Sequence, residues 1–232
     1  MGRKMILDKE KLRSNLDRVI WDIEEARLKR SEHLIVQLCV VAKYTEVENI
    51  ETLYSLGQRN FGENQVQQLE ARSQKLEELP LAWQMIGTLQ KNKINKLIDL
   101  NPTLLQSLDS LDLAIELNKR LEAKGKNMSA LLQINSSGES TKSGVKPEEA
   151  LDIYKQIQES CSNITLKGVM TIGANSKDEE LIKKSFNITY EIYENLQDSG
   201  ATICSMGMSS DFKLAIECGS NMVRIGSALF EE

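Results

Sequence analysis

The chain has 232 residues, of which 41% are hydrophobic and 27% are charged, so it is long enough for two small domains or one large α/β barrel. Its net charge of −5 argues against a general nucleic-acid-binding protein, and it contains no apolar run long enough to span a membrane. Because His33 is the only histidine, the sequence excludes a histidine-based catalytic triad and a multi-histidine metal site within one chain.

The N-terminus and the cysteines predict a cytoplasmic protein. The first residues lack the apolar core of a signal peptide and run directly into a charged helix. The four cysteines form no Cys-x-x-Cys pair, and three of them lie in apolar segments. We therefore expect buried thiols in a reducing compartment.

Predicted helices and strands alternate along the chain. The first helix covers residues 8–30, with Asp8 as its N-cap. Helical spacing predicts an apolar face on this helix made of Leu12, Leu16, Val19, Ile20, Ile23 and Ala26. The first strand covers residues 34–42, an almost unbroken apolar run typical of a strand buried on both faces. Further strands are predicted over residues 59–62, 81–86, 103–106, 129–134, 164–170, 201–204 and 221–225. Further helices are predicted over residues 47–56, 64–79, 90–99, 109–124, 147–160 and 178–198, with a short one within 209–218.

This alternation predicts an α/β fold with a parallel sheet. Eight βα units in a chain of this length favour a closed (β/α)8 TIM barrel, which would form a single domain over residues 1–232 with the helix over residues 8–30 packed on it. The alternative is an open, doubly wound sheet. No Gly-x-Gly-x-x-Gly motif follows the first strand, which weakens a dinucleotide-binding version of that alternative.

Lys43 stands where the first predicted strand ends. In parallel α/β folds, active sites collect at the carboxyl ends of the strands. An amine at this position, made nucleophilic by desolvation or a cationic neighbour, is a candidate Schiff-base former. The alternative, which this strand alone favours, is that Lys43 marks the solvated end of a strand.

The loops after the seventh and eighth strands predict a phosphate site. The segment over residues 205–210 supplies glycine and hydroxyl groups before a helix, and Gly226 and Ser227 supply the same after the last strand. Phosphate sites of these barrels often lie there, where backbone N–H groups bind the anion. The alternative is that both loops only turn the chain.

Barrel closure would place Lys43 one strand away from Arg224 and close to the phosphate site. An imine-forming amine beside a phosphate site suggests pyridoxal 5′-phosphate (PLP), or a phosphorylated sugar in a Schiff-base aldolase. An arginine beside the pyridine nitrogen of PLP would keep that nitrogen unprotonated and weaken the cofactor as an electron sink. The alternative is that Arg224 forms an ion pair at the rim.

Motifs along nearly the whole chain carry a resemblance to a known family. They lie in residues 41–43, 57–64, 83–93, 132–135, 142–144, 166–170, 205–209 and 222–227. In these segments the chain resembles the PLP homeostasis proteins, the YggS-type PLP-binding proteins. That resemblance implies a barrel like the N-terminal domain of fold-type III enzymes such as alanine racemase, and a role in regulating vitamin B6 and amino-acid pools without established catalysis.

The resemblance also implies roles for individual residues. Lys43 would carry PLP as an internal aldimine, and Arg224 would lie near the pyridine nitrogen. Asn64 would line the pocket, and the phosphate would contact Ser209, Gly226 and Ser227.

The chain departs from the family pattern in two places. The family usually has a serine before the lysine and a proline soon after it, whereas here Ala42 precedes it and Tyr44-Thr45-Glu46 follows. A histidine is common where Gln84 stands. These differences change the polarity of the predicted pocket but leave the lysine and the phosphate motifs in place.

The sequence favours a carrier over an enzyme. Fold-type III racemases and decarboxylases need a second, β-rich domain, and the chain ends a few residues after the eighth strand. Tyr44 is the one tyrosine near the predicted rim. We therefore expect a monomer that holds or delivers PLP without turnover, with PLP-dependent apoenzymes as possible recipients. The alternatives are a minimal racemase or Schiff-base lyase, and a structural protein in which Lys43 is incidental.

Lys142 lies on the same rim, in a Gly/Ser-rich loop after the fifth strand. We hypothesise that it accepts PLP transiently or contacts its phosphate during transfer. The alternative is a solvated loop charge.

Overall fold

The computed structural model describes residues 6–43 and 45–231. Its strands are β1 (Gln37–Val41), β2 (Asn60–Glu63), β3 (Ala82–Met85), β4 (Leu104–Leu108), β5 (Met128–Ile134), β6 (Ile164–Thr171), β7 (Ile203–Ser205) and β8 (Met222–Ile225). Its α-helices are α1 (Lys9–Arg30), α2 (Val47–Ser55), α3 (Val66–Lys75), α4 (Ile94–Leu100), α5 (Leu111–Ala123), α6 (Ala150–Ser160), α7 (Glu179–Leu196), α8 (Phe212–Glu217) and α9 (Ser227–Phe230). Short 3₁₀ turns cover Lys91–Lys93, Pro147–Glu149 and Gln197–Ser199.

The strands close into a barrel in chain order, and every neighbouring pair is parallel. Closure is made between β1 and β8, where Cys39 pairs with Arg224 and Val40 pairs with Ile225. The predicted (β/α)8 barrel is therefore confirmed, and the alternative of an open, doubly wound sheet is wrong.

The first helix begins as its sequence predicts. The Asp8 carboxylate accepts a hydrogen bond from the Lys11 N–H at 2.8 Å and caps the helix. The prediction for one member of its apolar face is wrong, because Ile20 is 42% exposed. Asn15 is buried on that face instead, since its Nδ2 donates to the carbonyl of Leu229 at 3.0 Å and ties α1 to the end of the chain.

The first strand is shorter than the apolar run predicts. It begins at Gln37, where pairing with Met222 of β8 starts, and the preceding Ile35 is 81% exposed. The run before Gln37 is therefore the approach to the barrel, and the expectation that residues 34–36 are buried on both faces is wrong. Hydrophobic composition predicts a strand here, but it does not show at which residue the pairing with β8 begins.

The short helix predicted within residues 209–218 is confirmed as α8, which begins at Phe212. Before it, Asp211 and Phe212 both donate backbone N–H groups to the Met208 carbonyl and close a turn. The helix α9 was not predicted, since four residues are too few to give a helical period.

The core lies inside the barrel and between the barrel and its helices. All four cysteines are buried free thiols, as the sequence predicts, and burial raises the pKa of Cys39 to about 12. Within residues 6–43 and 45–231, no helix is both long and apolar enough to cross a membrane.

Candidate functional site

Lys43 lies at the carboxyl-terminal mouth of the barrel, directly after β1, and is partly buried. The Ala42 N–H before it donates to the Gly62 carbonyl at 3.0 Å and extends the pairing with β2. The Thr45 N–H after it donates to the Ala42 carbonyl at 3.1 Å. Lys43 is thus held within a short hydrogen-bonded turn at the mouth. Tyr44, the predicted rim tyrosine, lies outside the described residues.

Two buried charged residues to which the sequence analysis assigned no role support this turn. Arg72 of α3 donates to the carbonyls of Ala42 and Thr45 and pairs with the carboxylate of Glu63, the last residue of β2. Both side chains are buried, and burial lowers the pKa of Arg72. A signal was present in the sequence, because Arg72 follows Leu69 at a spacing of three on the buried face of its helix.

The predicted phosphate-binding residues lie together beside the ends of β8 and β1. The Ser209 hydroxyl accepts the N–H groups of Gly226 and Ala228, both at 3.3 Å, and Ser227 begins α9 between them. A Cβ at Gly226 would lie 3.1 Å from the Val41 carbonyl oxygen, so the chain passes close to the end of β1. The loops after β7 and β8 therefore converge next to the turn that carries Lys43.

Arg224 lies inside the barrel on β8 and is 4% exposed. Its Nη1 donates to the Ser205 hydroxyl at 2.6 Å and its Nη2 donates to the Thr171 carbonyl at 2.7 Å. These partners are neutral, so the alternative of an ion pair at the rim is wrong. Burial lowers the pKa of Arg224 to about 10, which leaves the guanidinium charged at neutral pH.

A chain of hydrogen bonds continues from Arg224 across the barrel interior. The Ser205 hydroxyl donates to Gln106 Oε1 at 2.7 Å, and Gln106 Nε2 donates to Gln84 Oε1 at 2.5 Å. Gln84, the residue that stands where the family often has histidine, is buried and paired here. Ala42, the other departure from the family pattern, is fully buried. Both departures are accommodated in the packing of the barrel.

Asn64 follows β2 and is partly buried at the same mouth. Its backbone packs against Gly87 at the end of β3, where a Cβ would lie 2.1 Å from the Asn64 carbonyl oxygen. Asn64 and Lys43 thus stand at the ends of neighbouring strands.

A cavity of about 350 Å³ opens between the loops after β5, β6 and β7. Asp211 lines it and accepts the Met208 N–H at 2.6 Å, and burial raises the pKa of Asp211. Lys142 also lines it, donating to Glu139 at 2.6 Å and to the Gly173 carbonyl at 2.7 Å. The Lys142 side chain is 16% exposed, so the alternative of a solvated loop charge is wrong.

The mouth therefore combines a lysine amine, backbone N–H groups beside a hydroxyl, and a buried guanidinium. An amine can bond an aldehyde, N–H groups and a hydroxyl can bind a phosphate, and a guanidinium can donate to a ring nitrogen. Among the described residues, no group of three or more His, Cys, Asp or Glu side chains is arranged to hold a metal ion.

Comparisons with known proteins identify a matching family model and similar chains. The family model for the N-terminal domain of alanine racemase matches residues 14–232. The chain is 52% identical over 220 residues to the pyridoxal phosphate homeostasis protein of Helicobacter pylori, covering 95% of this chain and 98% of that protein. It is 31% identical to an unknown protein from Bifidobacterium adolescentis, with a TM-score of 0.89 and 98% of each chain covered. It is 29% identical to PipY of Synechococcus elongatus, solved with PLP bound, with a TM-score of 0.76 and coverage of 90% of this chain and 100% of that chain.

Proposed function

Because the chain belongs to the pyridoxal phosphate homeostasis protein family, we propose that it binds PLP at the barrel mouth through Lys43 and acts as a carrier without turnover. The observation that carries the proposal is barrel closure. The pairing of β1 with β8 brings the turn of Lys43 beside Ser209 and Gly226, with Arg224 buried inside the barrel on β8. When bound, PLP supplies an aldehyde that amines attack.

The residues at the mouth fit the three parts of this cofactor. The N–H groups of Gly226 and Ala228 reach the Ser209 hydroxyl at 3.3 Å, which is longer than the usual ~2.9 Å of an N–H···O bond. Phosphate oxygens are charged and accept stronger hydrogen bonds than a hydroxyl does. We therefore assign the phosphate to Ser209, Gly226 and Ser227, whose groups supply donors without a lysine.

The aldehyde is assigned to Lys43. Its Nζ would form a carbon–nitrogen double bond to the aldehyde carbon, with the aldehyde oxygen leaving as water. Asn64, at the end of the neighbouring strand, would line the pocket beside that bond. The short turn around Lys43 limits where its amine can reach.

The position of Arg224 favours a protein that binds PLP over an enzyme that uses PLP for catalytic turnover. The guanidinium stays charged at neutral pH and would donate a hydrogen bond to the pyridine nitrogen. A second positive charge on that nitrogen is disfavoured beside a guanidinium, so the ring would remain a weak electron sink. Relatives named as homeostasis proteins rather than enzymes support the same conclusion.

The test is chemical trapping on the purified protein. Incubation with PLP should give a near-visible absorbance band, and borohydride reduction followed by peptide mapping should place the adduct on Lys43. Lys43→Ala should lose the band and the adduct. Lys142→Ala, which removes a lysine that lines the cavity between the loops after β5, β6 and β7, is the matched control and should keep both.

Three results would overturn parts of the proposal. An adduct that maps to a lysine other than Lys43, or a protein that stays colourless with PLP, would refute the assigned site. Sustained amino-acid racemisation that disappears in Lys43→Ala would refute the carrier role and favour a minimal enzyme.

A further inference from the structure

Two buried residues of opposite charge lie behind the turn that carries Lys43. Arg72 projects from α3 and is 4% exposed, and Glu63 ends β2 and is 0% exposed. The two side chains form an ion pair. Neither belongs to the phosphate, ring or amine sites assigned above.

Arg72 contacts the backbone on both sides of Lys43. Its Nη1 donates to the carbonyl of Ala42, the residue before Lys43, and its Nη2 donates to the carbonyl of Thr45 at 2.6 Å. A guanidinium is a planar, rigid fork, so one side chain fixes both carbonyls relative to each other. Asn49 Nδ2 adds a bond to the Thr45 hydroxyl at 2.8 Å.

Stability alone is a weak reason for such a pair. Desolvation offsets most of the attraction between two buried charges, and apolar replacements of similar volume are often as stable. Moreover, within the part of the chain that the structure describes, Glu63 Oε2 has no hydrogen-bond partner. The pair is therefore better explained by what Arg72 orients than by the net energy of the ion pair.

We propose that Arg72, oriented by Glu63, is a positioning residue that sets the reach of Lys43 toward the cofactor aldehyde. This inference rests on the proposed function, because it assumes that Lys43 forms the covalent link. A lysine side chain has four rotatable bonds, so the position of its backbone decides which of its conformations meet the aldehyde. A bound aldehyde and a fixed amine react as if they belonged to one molecule, which raises the rate of reaction. That gain in rate falls when the amine is misplaced.

The proposal separates covalent linkage from cofactor binding. Pyridoxine 5′-phosphate has the same ring and phosphate as PLP but an alcohol in place of the aldehyde, so it binds without forming the link. Loosening the turn should slow the link with PLP and leave the affinity for pyridoxine 5′-phosphate unchanged. A loss of general structure would weaken both.

The experiment compares Arg72→Lys with two other variants. Arg72→Lys keeps the positive charge and loses the fork, and Glu63→Gln keeps Arg72 and removes its charged partner. Leu117→Ala, in the fully buried face of α5, is the control that destabilises the fold away from Lys43. Stopped-flow absorbance gives the rate of link formation at saturating PLP, and hydrogen exchange of the Thr45 amide in the cofactor-free protein reports the order of the turn.

In Arg72→Lys we expect link formation about 10-fold slower, faster exchange at Thr45 and an unchanged affinity for pyridoxine 5′-phosphate. Glu63→Gln should change in the same direction by less, and Leu117→Ala should keep the wild-type rate. The proposal would be overturned if Arg72→Lys formed the link with PLP as fast as wild type does. It would also be overturned if the affinity for pyridoxine 5′-phosphate fell by the same factor as the rate of link formation. Failure of both pair variants to fold would also overturn it, since the pair would then serve global stability. A wild-type protein that forms no link would refute the proposed function instead.

Discussion

Replacing Gly87 by alanine tests whether the mouth depends on close backbone packing. A Cβ at Gly87 would lie 2.1 Å from the carbonyl oxygen of Asn64 and 2.7 Å from its Cα. Both atoms belong to the backbone, so no rotamer change relieves the overlap. The end of β2 or of β3 must therefore move by about 1 Å to restore ordinary contact distances.

Such overpacking costs about 3 kcal/mol of unfolding free energy or slightly more. For a chain of this size, that loss lowers Tm by roughly 6–12 °C. Gly125→Ala is the matched control, because Gly125 has a φ of +60° and nothing lies within 4 Å of its added Cβ. Its cost is the left-handed backbone alone, about 1–2 kcal/mol.

Thermal unfolding of both variants gives their Tm, and titration with PLP gives their affinity for the cofactor. Gly87→Ala should lose more stability than Gly125→Ala. It should also bind PLP about 10-fold more weakly, because Asn64 is displaced at the mouth. Gly125→Ala should bind PLP as the wild type does. If Gly87→Ala matched the control in both Tm and affinity, the close approach of β2 and β3 would not position the site.

Substitutions at two further residues, Ser209 and Asp211, test individual groups near the mouth. Ser209→Ala removes the acceptor of the Gly226 and Ala228 N–H groups and a predicted phosphate contact, so PLP affinity should fall about fivefold, for the loss of ~1 kcal/mol. Ser209→Thr, which keeps the hydroxyl, should stay closer to wild type, and an unchanged affinity in Ser209→Ala would place the phosphate elsewhere. Burial raises the pKa of Asp211 above its unfolded value, so the folded state binds the proton first and wild-type stability should gain as pH falls through the folded-state pKa. Asp211→Asn cannot titrate but can still accept the Met208 N–H, and urea unfolding from pH 7 downward should show that this gain is missing; an identical pH profile in both proteins would contradict the assignment.

The fold could be predicted because each βα unit carries its own local pattern. Apolar runs predict strands, and helical spacing predicts the helices between them. A local pattern cannot show at which residues two neighbouring strands begin to pair. Ile35 belongs to an apolar run but precedes the first pair between β1 and β8, and so it is exposed.

The same distinction applies to the site. Lys43 and Arg224 could be singled out because parallel closure brings strand ends to one mouth, whereas Asn64 was assigned to the pocket through the family resemblance. The contacts of Arg72 could not be predicted, because its contact with Ala42 spans thirty residues of sequence and an arginine on an amphipathic helix is normally assigned to the solvent face. Only the spacing of Arg72 within its helix marked it as buried.

The proposed location of the site, at the closure of the barrel, would couple cofactor binding to folding. Gly226, a proposed phosphate contact, directly precedes α9. The helix α1 holds α9 through the bonds of Asn15 to the Leu229 carbonyl and of Arg18 to the Ala228 carbonyl at 2.9 Å. The proposed PLP contacts therefore join the two ends of the chain, which meet only in the folded state. A ligand that binds only the folded state stabilises it by about 2.7 kcal/mol at a concentration one hundred times its Kd. Because the proposed PLP contacts lie directly beyond the paired residues of β1 and β8, we expect bound PLP to slow hydrogen exchange in these two strands before it does so elsewhere.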